Sequence, residues 1–174
     1  MIIIVLISFM FGLCLRLIVY NKIALVNERK LKSNNAKEYG KKNSITLNVL
    51  HYMFMGGCII EAYISKTQFD VYTIIGLILY AFSYIMLFYV ITELKDFWTT
   101  KLIVSENHQL NTSFLFKFIK HPNYFFNLIP ELVGFALICK AKYIFIFIFP
   151  CYLITLIVRI SIEQKMMKNK FSSY

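Results

Sequence analysis

The stretch at 71–91, VYTIIGLILYAFSYIMLFYVI, carries no charged residue. Crossing a hydrocarbon core of about 30 Å takes roughly 20 mainly apolar residues, and this run supplies them. Comparable segments stand at 2–20, 46–64, 124–139 and 143–158; Arg16 interrupts the first, and His51 and Glu61 interrupt the second. With 59% hydrophobic residues and a mean hydropathy of +0.63, too little polar sequence is left for a soluble domain. The pattern predicts an all-α, polytopic membrane helix bundle of about five transmembrane helices, forming one domain over residues 1–174. Only Lys140-Ala141-Lys142 separates the last two spans, so they read as a helical hairpin. The first segment lacks a basic leader and a small-x-small cleavage site, and reads as a retained helix rather than a signal peptide.

Charge orients this bundle, because Lys and Arg accumulate in cytoplasmic loops. The expected loops at 21–45 and 92–123 and the C-terminal end hold most of the basic residues, whereas the opposite side has Lys66, Lys140 and Lys142. This predicts a multi-pass protein of the cell membrane, with its N-terminus outside and its polar face in the cytoplasm. The net charge of +10 is accounted for by anionic lipid headgroups and calls for no nucleic acid. Cys14, Cys58, Cys139 and Cys151 lie in or beside apolar segments without C-x-x-C spacing, so they read as small buried packing residues, with no metal site. No phosphate-binding glycine loop and no G-x-S-x-G elbow is present.

Chemistry must therefore come from polar groups near the membrane surface. In FIKHPNYF (118–125), Pro122 cannot continue a preceding helix but suits the first turn of a new one, so a break falls at His121. The hairpin then returns Arg159 and Glu163 to the level of His121 and Tyr124. Tyr124 and Glu131 are seven residues apart on one helix face, which places Glu131 about 10 Å deeper. A carboxylate at that depth needs a partner or a wet cavity. Arg159 and Glu163, four apart, also share a face. His121, Tyr124, Glu131, Arg159 and Glu163 are thus expected to converge in one cytoplasmic pocket, with Pro130 bending the helix to make room. His51 and His108 show no partner in the sequence and read as structural or surface residues.

Lys120-His121-Pro122-Asn123-Tyr124, followed after a hairpin by Arg159-Ile160-Ser161-Ile162-Glu163-Gln164, resembles the paired signature of the isoprenylcysteine carboxyl methyltransferase family. The stretches NERKLKSNNAKEYG (27–40) and FWTTKLIV (97–104) resemble loop segments of its short bacterial branch. The chain departs from the signature in having Lys120 for an arginine and Gln164 for a second glutamate, and NTSFLFKF (111–118) lacks the Gly-Pro-Tyr that often precedes it. The resemblance implies transfer of a methyl group from S-adenosylmethionine to an oxygen of a lipophilic acceptor, either a prenylated cysteine or an alkylpyrone. It implies cofactor contacts from Lys120, His121, Pro122, Tyr124, Glu163 and Gln164, with Arg159 and Glu131 at the reacting end. Two other readings fit a bundle of this kind: an NADPH-dependent membrane reductase, and a non-catalytic accessory protein in which Glu131 and Arg159 form a structural ion pair.

Overall fold

The computed structural model describes residues 1–104 and 119–170. His108 and the NTSFLFKF stretch therefore lie outside the described residues. Among the described residues, four helices are long and apolar enough to cross a membrane, Ile2–Ser33, Lys41–Ile64, Val71–Phe97 and Lys142–Lys170, and a shorter apolar helix covers Asn123–Cys139. The protein is an all-α, multi-pass membrane bundle. Large apolar side chains such as Ile7, Ile78, Ile85, Phe147 and Ile154 are left exposed around it, as a surface solvated by lipid requires.

Helix α1 (Ile2–Val19) passes through a wide π-helical turn (Tyr20–Ala24) directly into α2 (Leu25–Ser33). A helix of that combined length reaches about 48 Å, well beyond the hydrocarbon core, so α2 projects past it. The expected loop at 21–45 is thus largely helical. Its Leu, Glu, Lys and Arg residues are good helix formers, and no Gly or Pro interrupts them before Gly40. Gly40 adopts φ +58 and opens α3 (Lys41–Ile64), five residues before the apolar run begins.

Helix α4 (Val71–Leu94) starts from a capping box in which Asp70 and Thr73 bond reciprocally. A second π-helical turn (Asn123–Leu128) leads into α5 (Ile129–Cys139), and Lys140 in a left-handed conformation turns the chain into α6 (Lys142–Lys170). Pro130 sits at the start of α5, directly after the π turn, which widens the backbone there. Glu61 accepts from the Tyr143 and Ile144 backbone N–H groups at 3.0 and 2.9 Å, capping α6 from α3.

The two arms of the hairpin pack on different partners, α5 on α4 and α6 on α3. The α4–α5 contact is glycine-mediated. A Cβ on Gly134 would stand 2.8 Å from Tyr80 N and 2.9 Å from Gly76 O, so the two backbones touch there. Among the cysteines, Cys58 and Cys139 are buried as expected, whereas Cys14 and Cys151 lie exposed on the bundle surface.

A small antiparallel pair, β1 (Lys37–Tyr39) with β2 (Leu102–Val104), covers one end of the bundle. Asn27 donates to the backbone oxygens of Lys95 and Trp98, and Glu28 accepts from Lys32 and Lys101, each at 2.6 Å. The stretches 27–40 and 97–104 therefore fold onto each other as a lid over the Lys-rich end.

Candidate active site

Beneath this lid lies a cavity of about 410 Å³, within the ordinary range for a small-molecule site. Glu38, Lys41 and Trp98 to Lys101 line its outer end; Arg16, His51 and Tyr152 line its inner end. Two layers of polar side chains cross it. Ser44 and His51 on α3, Tyr124 and Glu131 on the fourth segment, and Arg159 and Tyr152 on α6 are each seven residues apart, so the layers are separated by about two helical turns, near 10 Å.

The outer layer joins the two halves of the sequence signature. The backbone N–H groups of Tyr124 and Phe125 donate to His121 O, so the helical segment begins at His121-Pro122, where the proline placed it. The His121 ring stacks on that of Tyr124 at 5.6 Å, and its Nδ1 lies 3.4 Å from Glu163 Oε1. The Tyr124 hydroxyl donates to Glu163 Oε2 at 2.7 Å, and Gln164 Nε2 stands 3.4 Å from His121 Nε2. Arg159 is buried, and each nitrogen of its guanidinium donates to the protein: Nε to the Tyr124 hydroxyl at 3.4 Å, Nη1 to Ser44 Oγ and Nη2 to Thr100 O at 3.3 Å. Tyr124 and Arg159 face the cavity; His121, Glu163 and Gln164 stand behind them. Lys120 is exposed at the start of the segment and Pro122 is buried.

Glu131 departs from the expected convergence. It is fully buried and pairs with Arg16 of α1, through Arg16 Nε to Oε1 at 2.8 Å and Arg16 Nη2 to Oε2. Oε1 also accepts from the Tyr84 hydroxyl at 2.8 Å, and His51 Nε2 lies 3.7 Å away. Glu131 thus pairs with Arg16 and not with Arg159. Position along α5 puts Glu131 two turns below Arg159, out of its reach, while the upper end of α1 brings Arg16 to its level. His51 is likewise no isolated structural histidine, since it lines the cavity floor beside this pair.

Arg16, Ser44, His51, Thr100 and Asn127 escaped the reading of the sequence as site residues. A signal existed for two of them, because a cation or imidazole interrupting an apolar span marks a functional position by default. Ser44 and Thr100 carry no such mark.

Residues 75–169 match the description of the isoprenylcysteine carboxyl methyltransferase (ICMT) family. The matched stretch holds both signature elements and the hairpin between them. The chain belongs to the isoprenylcysteine carboxyl methyltransferase family. It is also 45% identical over 149 residues to an uncharacterised protein of Haemophilus influenzae, covering 86% of this chain and 87% of the relative. Uncharacterised YpbQ of Bacillus subtilis is 26% identical over 149 residues, covering 84% and 87%. No solved structure matches. This family consists of membrane methyltransferases.

Proposed function

We propose that the protein is an S-adenosylmethionine-dependent O-methyltransferase of the cell membrane, acting on a lipophilic acceptor with an acidic oxygen, an isoprenylcysteine-type carboxylate or an alkylpyrone hydroxyl. The observation that carries this reading is the junction of the two signature elements at one cavity, with Tyr124 bridging Glu163 and Arg159.

The donor set suits the cofactor. Among the described residues, the buried Asn123 Oδ1 and Asn127 Oδ1 find no hydrogen-bond partner, and both asparagines line the cavity. Burying polar atoms unpaired costs about 1–3 kcal/mol each, so they are matched to groups that a ligand brings. Carbonyl oxygens of this kind accept from an ammonium or an exocyclic amine. Of the residues that the family signature assigns to the cofactor, Lys120, His121, Pro122, Tyr124, Glu163 and Gln164, Tyr124 would meet it at the cavity wall, and His121, Glu163 and Gln164 would hold Tyr124 in place from behind. S-adenosylmethionine supplies a methyl group already activated on a sulfonium.

The protein's task is then alignment and exclusion of water, since a carboxylate or enolate needs no covalent activation. Arg159, pinned by Ser44, Thr100 and Tyr124, keeps the outer layer rigid. Leu17 and Tyr20 on one side and Ile45 and Tyr52 on the other line the cavity while also being exposed on the bundle surface. They form a lateral opening through which a greasy tail can enter from the bilayer. The Lys-rich end carrying the lid faces the cytoplasm in this reading, with the N-terminus outside.

Radiolabelled methyl transfer from S-adenosylmethionine to lipid extracts tests the assignment. Wild type should label lipid, and His121→Ala and Glu163→Ala should each lower labelling at least about ten-fold. Undiminished labelling in both variants would sink it.

A further inference from the structure

The inner layer contains a cation whose bonding is incomplete. Arg16 gives Nε and Nη2 to Glu131, and among the described residues no protein atom accepts from Nη1. Its side chain keeps 22% of its surface accessible and lines the cavity, although it sits in a membrane span. Arg159, by contrast, is buried and has every nitrogen committed to the protein. Of the two guanidinium groups at the cavity, Arg16 is the more exposed, and the one with a whole nitrogen that no described protein atom accepts from.

Its surroundings fix it there. Glu131 is fully buried and holds the guanidinium fork from one side, and the Tyr84 hydroxyl holds Glu131 in turn. A guanidinium anchored at two nitrogens presents its third as an oriented donor, which costs little further ordering when a ligand arrives. His51 lies beside it on the cavity floor, and the lateral opening at Leu17 and Tyr20 is on the same helix. A lipophilic molecule entering between α1 and α3 meets Arg16 at the edge of its path.

We propose that Arg16, positioned by Glu131, is the residue that reads the acidic oxygen of the methyl acceptor. This rests on the methyltransferase reading and assigns the acceptor end of the cavity to α1, outside both signature elements. Arg16 selects acceptors whose oxygen is anionic and releases them once methylation has removed the charge. A carboxylate and an enolate share that chemistry.

Two probes distinguish those sources: N-acetyl-S-farnesylcysteine and a 6-alkyl-4-hydroxy-2-pyrone, each compared with its O-methylated product. Binding to detergent-purified protein is measured with S-adenosylhomocysteine present. Wild type should bind one or both acids at least about ten-fold more tightly than the methylated form. Replacing both partners of a buried pair by apolar residues is often tolerated, so the double variant Arg16→Met, Glu131→Leu should retain S-adenosylhomocysteine binding yet bind acid and product equally. Arg16→Lys keeps a charge for Glu131 but loses the fork, and should also lose the preference; it decides alone if the double variant does not fold. A folded variant that keeps the full preference, or that loses S-adenosylhomocysteine binding, overturns the proposal. So does a wild type that binds S-adenosylhomocysteine without preferring either acid, which leaves the methyltransferase reading standing. A wild type that binds no S-adenosylhomocysteine overturns both.

Discussion

The Tyr124 hydroxyl donates to Glu163 Oε2 across 2.7 Å, tying together two residues 39 positions apart in the chain. That bond closes the outer layer of the cavity, because Tyr124 also accepts from Arg159 and stacks on His121. Removing the hydroxyl in Tyr124→Phe leaves Glu163 without this donor and Arg159 without one acceptor. A stability loss of about 1 kcal/mol is expected, accompanied by an approximately ten-fold weakening of S-adenosylhomocysteine binding. Thermal unfolding and calorimetric titration of the same preparation check the two effects separately.

Arg159 holds Ser44 of α3, Thr100 of the lid and Tyr124 at once. A lysine cannot span three acceptors on three elements, so Arg159→Lys should cost about 2 kcal/mol. The lid should loosen with it, seen as faster amide exchange over residues 98–104. Unchanged exchange there would show that the Thr100 contact does not hold the lid.

Glycine substitutions separate close backbone approach from open surface. Gly134→Ala places a methyl group against the backbone of α4 and should destabilise by about 1–3 kcal/mol. A Cβ on Gly56 would meet nothing within 4 Å, and Gly56→Ala should be neutral or stabilising by up to about 1 kcal/mol. Equal unfolding midpoints for the two variants would contradict the packing of α4 on α5.

Asp70 bonds Lys140 Nζ at 2.7 Å and caps α4 through Thr73. The Lys140 hydrogen bond, with the Thr73 bonds, holds its carboxyl below its usual value of 3.8. A carboxyl depressed in the folded state contributes stability above its unfolded pKa and loses it as pH falls through the folded one. The difference in unfolding midpoint between wild type and Asp70→Asn should therefore be present at neutral pH and shrink below about pH 4. A difference independent of pH would assign the effect to the cap geometry alone.

How much of this was legible in the sequence follows from the range of each interaction. The hairpin fixes the relative heights of Tyr124, Arg159 and Glu163, because a turn of a few residues leaves two helices little freedom to slide. Their shared layer could be read from spacing alone. Glu131 could be recognised as needing a partner, but not which one: Arg16 is 115 residues away on a helix whose height no short connection sets. Ser44 lay just outside the apolar run that defined its span, although α3 begins earlier, at Lys41. Polar residues after the first span read as a loop, yet α2 continues the helix into solvent, where its Asn27 and Glu28 hold the lid. Period and hydropathy locate helices in a membrane; the lateral arrangement of those helices is set by contacts such as Gly76 with Gly134, which leave no periodic trace.

In the proposed function, the cavity beneath the lid binds the methyl donor at the junction of the two signature elements. Calorimetric titration of purified protein in detergent with S-adenosylhomocysteine, and separately with NADPH, tests it most directly. The account predicts saturable binding of S-adenosylhomocysteine, weakened at least about ten-fold by Glu163→Ala, and no binding of NADPH. Binding of NADPH in place of S-adenosylhomocysteine, or S-adenosylhomocysteine binding untouched by Glu163→Ala, would contradict it.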